Sequence, residues 1–351
     1  MNLLKVVSFP LLISSLLLVS IGILVIYSSS ADLALQQFIY TITGLLLFLS
    51  ISQLDMHSLR KFITPFYFIT TIALIIVFIL GIETRGSIRW IPLGPVNIQP
   101  SEFAKPVLIL QLALFWAVNA TTWTNIFKSL IWLFPFVILI FKQPDLGTVL
   151  TLIAIWIGML GVSQISVKKI LILIIAAMLI IPTSWFFLHD YQKQRLLSFL
   201  QPESDSLGRG YNVIQSTIAV GSGGIFGRGL GQGTQSRLQF LPEFRTDFIF
   251  ASIAEEMGFV GSLIILSIYL YLLTFILKVA NGAEDGFNFL LILGVFSMLL
   301  FQTFVNIGMN IGILPITGIT LPLISYGGSS LVATFICLGI VAAVAKGRKR
   351  G

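Results

Sequence analysis

Residues 259–277 read FVGSLIILSIYLYLLTFIL, a run without a charged side chain. As an α-helix such a run is about 28 Å long, which matches the roughly 30 Å hydrocarbon core of a bilayer. It belongs to an apolar segment at about 248–277, and nine similar segments occur along the chain: 9–27, 34–53, 62–82, 103–120, 126–142, 146–164, 168–188, 287–311 and 320–345. The sequence therefore predicts an all-α integral membrane protein with about ten transmembrane helices.

The composition supports this fold class. The chain has 351 residues, of which 56% are hydrophobic and only 10% are charged, against roughly 25% charged residues in an ordinary soluble domain. Ten crossings of about 20 residues account for roughly 200 positions. We therefore predict a single polytopic membrane domain over residues 1–351, with one long extracytoplasmic loop at about 189–246 between the seventh and eighth helices.

The distribution of positive charge predicts the orientation of the helices. The net charge is +7, but the basic residues stand in ones and twos between apolar runs, which argues against nucleic acid as a partner. In the termini and short loops they fall on one side, which should be cytoplasmic: Lys5, Arg60, Lys61, Lys128, Lys168, Lys169, Lys278, Lys346, Arg348, Lys349 and Arg350. Both termini are therefore predicted to be cytoplasmic.

Ionisable residues beside the apolar runs are candidates for function, because charge is costly in a membrane. They gather at the predicted outer ends of the helices: Glu102, Lys105, Lys142, Asp145, Asp247, Glu255 and Glu256. The cytoplasmic ends carry simple basic anchors instead. This asymmetry predicts a polar site at the outer leaflet that acts on a charged or sugar-like group.

Two of these positions also have purely structural explanations. Glu102 and Lys105 stand three residues apart, where they face one another on a helix that Ser101 would cap. An ordinary surface ion pair is the alternative explanation for them. Asp145, in the string QPDLGT at 143–148, stands at a helix start and suits an N-cap as well as a functional carboxylate.

Asp247 is the sharpest single candidate. It follows LPEFRT at 241–246, and the next apolar run predicts a helix from Thr246 with Asp247 in its first turn, where the helix dipole favours a carboxylate. Glu255 and Glu256 lie about 12 Å further along the axis, so Asp247 is expected at or above the outer interface. A carboxylate held there has the position of a general base for a nearby hydroxyl.

The segment before the last helix contains Pro322 and the pair Gly327-Gly328, which predicts a broken helix. Backbone N–H groups freed by such a break hold an anion where they line a cavity. Close helix packing through small residues is the alternative. The single cysteine, Cys337, excludes an intrachain disulfide, and the residues carry no metal-ligand signature.

Several strings, taken in order, resemble the SEDS family of membrane proteins: GSIRWI at 86–91, QPSEFAKP at 99–106, QPDLGT at 143–148, LPE at 241–243, TDF at 246–248, EEMG at 255–258 and LPLISYGGSS at 321–330. The match covers nearly the whole chain. GQGTQS at 231–236 and ILPITG at 313–318 are more similar to the RodA-like branch than to the FtsW-like branch.

The resemblance implies a peptidoglycan glycosyltransferase of the bacterial cell inner membrane. Such an enzyme polymerises lipid II at the outer face during cell-wall elongation and cell-shape maintenance. The resemblance also implies a class B penicillin-binding protein, a transpeptidase, as membrane partner. Through the family motifs it assigns the essential carboxylate to Asp247 and supporting substrate contacts to Trp90, Glu102, Lys105, Asp145 and Gln215.

The reaction joins two disaccharide units, so it needs a base beside positive charge that stabilises the departing pyrophosphate. We expect Asp247 to take the proton from the acceptor hydroxyl and Arg89, Lys105 or Arg228 to hold the pyrophosphate. A divalent cation, Mg²⁺ or Mn²⁺, is the alternative source of positive charge, although the sequence requires no cofactor. Where the family commonly has His before Thr-Asp-Phe, this chain has Arg245, whose fixed charge would favour the ionised form of Asp247.

Two other functions fit ten helices with ionisable groups. A lipid II flippase or transporter should carry polar residues near mid-bilayer and on both faces, whereas here they gather at the outer ends, which favours the enzyme. A noncatalytic scaffold for the partner predicts that activity survives substitution of the polar residues. Polymerisation of lipid II in detergent separates the enzyme from the flippase, because no bilayer is present.

Overall fold

In the part of the chain that the structure describes, the fold consists of long helices and one small sheet. The computed structural model describes residues 8–84, 87–93, 96–184, 209–238 and 240–347, together with positions 186, 193, 199 and 201. Within these ranges the helices are α1 (Phe9–Tyr27), α2 (Ala31–Ile51), α3 (Met56–Leu80), α4 (Pro100–Val118), α5 (Trp123–Lys142), α6 (Leu146–Val162), α7 (Val167–Ser184), α8 (Arg209–Ser222), α9 (Thr234–Arg237), α10 (Ile249–Ala280), α11 (Gly286–Asn310) and α12 (Gly328–Gly347). All except α8 and α9 coincide with the ten predicted apolar runs.

The chain is a multi-pass membrane protein. In the described part of the chain, eight helices are long and apolar enough to cross a membrane, and α6 is apolar but shorter, with 17 residues. Large apolar side chains stay exposed along α2, α3 and α5, for example Leu46, Ile79 and Phe127, which suits surfaces that face lipid. The predicted all-α membrane fold is confirmed.

The interior of the bundle is built around α4, α11 and α12, which are the most enclosed of the spanning helices. α12 packs along α2, while α11 packs along α4, α6 and α10. Apolar side chains fill the centre, among them the fully buried Phe48, Leu108 and Phe335. The starts of α4, α6 and α12 and the turn before α10 meet at one end of this bundle.

A small antiparallel sheet connects α3 to α4, with the strand order β1-β2-β3. Its strands are β1 (Ile82–Thr84), β2 (Ser87–Leu93) and β3 (Val96–Ile98). Trp90 pairs with Ile82, and Ile91 pairs with Ile98. The all-α prediction overlooked these strands, because three to seven residues are too few to show the alternation typical of a sheet. β2 carries Arg89 and Trp90 to the end of the bundle.

The second half of the predicted long loop is folded, whereas most of residues 185–208 lie outside the described ranges. α8 packs on α10, and residues before and within α10 join it in a small apolar cluster: Ala219, Leu241, Phe244, Phe248 and Ala251. The loop boundaries at 189 and 246 therefore remain a prediction, while its later part lies against the bundle.

Two helix boundaries differ from the sequence prediction. α10 begins at Ile249 and not at Thr246, so Asp247 lies in the turn before the helix. α12 begins at Gly328, because residues 311–327 form turns and irregular backbone in which Leu323 has a φ of 69°. The break that the sequence predicts before the last helix is therefore this non-helical segment, residues 311–327.

α10 itself is interrupted at Gly258, whose φ of 67° lies in the left-handed region. The interruption leaves amide and carbonyl groups without partners in the helix. They pair with the main chain of residues 224–229 in four bonds: Phe259 N to Gly224 O, Val260 N to Ile225 O, Arg228 N to Glu255 O and Gly229 N to Glu256 O. Since lipid offers no hydrogen bonds, the loop completes the helix at this point.

Candidate active site

A cavity of about 720 Å³ lies at the end of the bundle where α4, α6 and α12 begin. Its walls come from α2, α4, α6, α11, β2, β3, the turn before α10 and the irregular segment before α12. Of the predicted site residues, six line this cavity: Arg89, Trp90, Glu102, Lys105, Asp145 and Asp247. Gln215 and Arg228 do not.

Glu102 and Lys105 form an ion pair in the first turns of α4, with 2.7 Å between the Glu102 Oε2 and the Lys105 Nζ. Their exposed fractions are only 7% and 3%, so the alternative of an ordinary surface pair is wrong. Gln99 occupies the N-cap position, because Pro100 starts the helix. The predicted capping by Ser101 is therefore also wrong.

Asp145 caps α6, as predicted. Its Oδ1 accepts from the Thr148 N at 3.1 Å, and its Oδ2 accepts from the Thr148 hydroxyl at 2.9 Å. The Oδ2 also accepts from the Gln99 Nε2 at 3.1 Å and from the Ser101 hydroxyl at 3.3 Å. The carboxylate thus ties the start of α6 to the start of α4 and fixes the spacing of two cavity walls.

Arg89 fastens β2 to the connection between α5 and α6. Its Nε donates to the Gln143 carbonyl at 3.0 Å, and its Nη2 donates to the Pro144 carbonyl. The third nitrogen, Nη1, is 4.0 Å from the Asp145 Oδ1. The guanidinium is therefore largely occupied by the protein. Trp90, next on the strand, is half-buried and lines the cavity.

Asp247 is half-buried at the cavity wall. Its main-chain carbonyl accepts from the Asn306 and Asn310 side-chain amides at 2.9 and 3.0 Å. Gly318 approaches its carboxylate closely: a Cβ added there would lie 3.6 Å from the Asp247 Oδ2. A residue without a side chain beside the carboxylate leaves room for a substrate.

Arg245 binds the connection between α1 and α2. Its Nε donates to the Ser29 hydroxyl at 2.8 Å and its Nη2 donates to the Ser29 carbonyl at 3.4 Å, while the guanidinium carbon lies 4.4 Å from the centre of the Phe244 ring. Burial lowers the pKa of Arg245. The charge expected to act on Asp247 is thus engaged with another part of the chain.

Gln215 and Arg228 belong to the folded loop that packs on α10. The exposed Arg228 donates from its guanidinium to the Thr234 hydroxyl at 2.8 Å and to the Ser222 carbonyl at 3.4 Å. Gln215 is half-buried on α8. Because the loop holds both residues outside the cavity lining, their predicted substrate contacts gain no support from the geometry.

Glu255 and Glu256 hold this loop in place and do not line the cavity. The fully buried Glu255 caps α9, since its carboxylate accepts from the Gln235 N at 2.8 Å and from the Ser236 N at 3.2 Å. The Glu256 carboxylate accepts from the Gly231 main chain in the loop and from the Ser28 hydroxyl at 3.2 Å. Both were predicted for the outer polar site, but they serve the folded loop instead.

Several polar cavity residues escaped the sequence reasoning. The Tyr326 hydroxyl donates to the Gln36 Oε1 at 2.6 Å. Tyr40, Asn97, Glu243 and Gln302 are among the others. Glutamines within the apolar runs of α2 and α11 were the available signal, because a polar side chain at membrane depth is costly and is therefore a candidate for function.

The cavity combines both signs of charge. Arg89 and Lys105 are basic, and four carboxylates face them: Glu102, Asp145, Glu243 and Asp247. The starts of α4, α6 and α12 add the positive ends of three helix dipoles. Among the described residues no three His, Cys, Asp or Glu side chains are grouped as metal ligands. The arrangement offers a base and an anion-stabilising wall in one cavity.

The chain is similar to known proteins over nearly its full length. The family model FTSW_RODA_SPOVE, described as cell cycle protein, matches residues 3–350. The peptidoglycan glycosyltransferase MrdB of Escherichia coli K12 is 41% identical over 311 residues, which are 87% of this chain and 84% of MrdB.

The chain is also similar to solved structures over nearly its full length. A chain from work on structural coordination of polymerization and crosslinking by a peptidoglycan synthase complex has a TM-score of 0.85 at 34% identity, covering 98% of this chain and 99% of that one. The rod shape determining protein RodA of Thermus thermophilus has a TM-score of 0.73 at 29% identity, and 97% of each chain is covered.

Proposed function

Because the chain belongs to the FtsW/RodA/SpoVE family, also called SEDS, we propose that it is a RodA-like peptidoglycan glycosyltransferase that polymerises lipid II during cell-wall elongation and cell-shape maintenance. It works at the outer face of the bacterial inner membrane, with both termini in the cytoplasm. The observation that carries the proposal is the single cavity that contains Asp247 together with the Glu102–Lys105 pair.

The chemical step transfers one proton and one glycosyl group. The acceptor sugar hydroxyl attacks the anomeric carbon of the donor, and the bond from that carbon to the pyrophosphate oxygen breaks. The bonding electrons leave with undecaprenyl pyrophosphate. Asp247 accepts the hydroxyl proton as general base, a role that its place at the cavity wall beside Gly318 supports.

Charge on the departing pyrophosphate needs stabilisation in the same space. Lys105 and the dipoles at the starts of α4, α6 and α12 supply it. Arg89 acts mainly by holding Asp145 and the α5–α6 connection in place. A divalent cation, Mg²⁺ or Mn²⁺, would add to this charge, and the carboxylates that line the cavity are the groups that would hold it.

A class B penicillin-binding protein is the partner that cross-links the strands. The similarity to a chain of a peptidoglycan synthase complex supports this assignment. Polymerisation by this chain and transpeptidation by the partner are therefore consecutive reactions on the same glycan, and activity is best measured on the purified complex.

The proposal is tested by Asp247→Asn in that complex, given lipid II in detergent, with glycan strands resolved on a gel. We expect the rate to fall by about 10²- to 10⁴-fold, the usual contribution of a general base. Asp32→Asn is the matched control, because Asp32 is an exposed aspartate in the first turn of α2 and does not line the cavity.

Polymerisation by Asp247→Asn at the parent rate would refute the role of Asp247. A lipid II flippase makes no polymer in detergent, so the unsubstituted complex alone separates the enzyme from that alternative. The collection of charged groups around one cavity at one end of the helices favours the enzyme.

A further inference from the structure

We infer that Asn306 and Asn310 of α11 are positioning residues that aim the Asp247 carboxylate. The inference rests on the proposed function of Asp247. Neither asparagine lines the cavity, and both are fully buried. Each donates to the main-chain carbonyl of Asp247 from its side-chain amide.

The turn that carries Asp247 is held through three consecutive carbonyls. The Arg245 carbonyl accepts from the Tyr326 N at 2.9 Å. The Thr246 carbonyl accepts from the Ser325 hydroxyl at 2.6 Å. The third carbonyl, that of Asp247, is the one that takes both asparagine amides. The backbone that carries the carboxylate is therefore held at each of these three residues.

Asn306 joins the two segments that border the carboxylate. In addition to the Asp247 carbonyl, its Nδ2 donates to the Ile319 carbonyl at 2.7 Å. Ile319 follows Gly318, which lies beside the Asp247 Oδ2. One buried amide thus sets the distance between the base and the segment opposite it.

Asn310 connects the same turn to α10 and α8. Its Oδ1 accepts from the Ala251 N at 2.9 Å, one of the amides that a helix start leaves unpaired, and the N-cap residue Phe248 makes no side-chain capping bond. The Asn310 carbonyl accepts from the Ser216 hydroxyl at 2.8 Å. The acceptor half of this amide caps α10, and the donor half holds Asp247.

The two halves can be separated by one substitution. Asn310→Asp keeps an oxygen for the Ala251 N, and as an ionised carboxylate it has no donor for the Asp247 carbonyl. A misplacement of about 1 Å costs on the order of 10²-fold in rate, so we expect kcat to fall by roughly 10- to 100-fold while KM changes by less than about 2-fold. Asn306→Asp removes the donor on the other side and leaves the cap of α10 intact.

Thr303→Val is the matched control, because Thr303 is a buried polar residue one turn away on α11 that does not line the cavity. Its kcat and KM should equal those of the parent complex. All variants are compared at equal amounts of folded complex, judged by gel filtration in detergent and by thermal unfolding.

A double-substitution cycle decides between positioning and a merely structural role. In the Asp247→Asn background, Asn310→Asp or Asn306→Asp should lower the residual rate no further, because the residue that they aim has lost its function. A further loss equal to that in the parent background would overturn the inference, and so would failure of both asparagine variants to fold. An unchanged rate for Asp247→Asn alone would instead refute the proposed role of Asp247 as general base, and absence of polymer from the unsubstituted complex would refute the proposed function, so these failures are distinguishable.

Discussion

At the scale of single residues, Glu102 and Lys105 show which features of a site a local sequence pattern can predict. Their contact was predictable, because a spacing of three residues brings side chains together on one helix. Their burial depends on the neighbouring helices and was not predictable. The same holds for Arg89, whose carbonyl partners lie 54 and 55 residues further along the chain. Local caps such as Asp145 can be found from the sequence, whereas contacts between distant elements cannot.

Breaking the buried ion pair should be costly. Lys105→Met leaves the Glu102 carboxylate buried without its cation, and we expect a loss of about 3–5 kcal/mol in the free energy of unfolding. The double variant Glu102→Gln/Lys105→Met should regain most of this stability, because no charge is left unpaired. Thermal unfolding in detergent measures both effects.

Activity of the double variant then separates structure from chemistry. If the pair contacts the substrate, the stable double variant still polymerises lipid II poorly. Recovery of the parent rate together with stability would show that the pair only supports the fold.

The break in α10 is the decisive feature at the scale of elements. The apolar pattern predicts one continuous helix here, and the glycines Gly258 and Gly261 are the local signs of an interruption. What makes the break stable is a loop 29 to 34 residues earlier in the chain, whose main chain replaces the missing helical bonds. This explains why Glu255 and Glu256 looked like members of the outer site: their partners in the loop are not visible in a helical pattern.

Gly258→Ala should disrupt this arrangement. Gly258 has φ 67° and ψ −163°, and an added Cβ would come within 2.3 Å of the Gly227 N. We expect a loss of about 1–3 kcal/mol from backbone strain, the usual range for such conformations. Gly221→Ala is the control, because Gly221 is helical with open space around it and alanine favours the helix. Equal thermal stability of the two variants would contradict this account of the break.

At the scale of the whole molecule, the length and composition of the apolar segments are sufficient to predict the helical bundle. Each of the ten apolar runs became a helix, since membrane spans are specified by local composition. The sheet between α3 and α4 and the irregular segment before α12 were missed or misplaced, because both depend on short elements and on packing. Those two segments also form much of the cavity wall, so the site was less predictable than the fold.

The orientation in the membrane can be tested with cysteine labelling. Cys337 is the single cysteine of the chain, so Cys337→Ala provides a background without thiols. In this background we expect Asp32→Cys to react with a membrane-impermeant maleimide in intact spheroplasts, because the α1–α2 connection is proposed to be external. Asn281→Cys, in the exposed turn between α10 and α11, should react only after permeabilisation. The reverse pattern would place the cavity on the cytoplasmic side.

The hydrogen bonds that shape the Asp247 turn run through the main chain at residues 245–247. Asp247→Asn, which keeps the size and shape of the side chain, therefore keeps all of these main-chain bonds. We expect this inactive variant to bind its lipid-linked sugar substrate without converting it. Electron cryomicroscopy of that stalled assembly would reveal how the two saccharides are seated before they are joined.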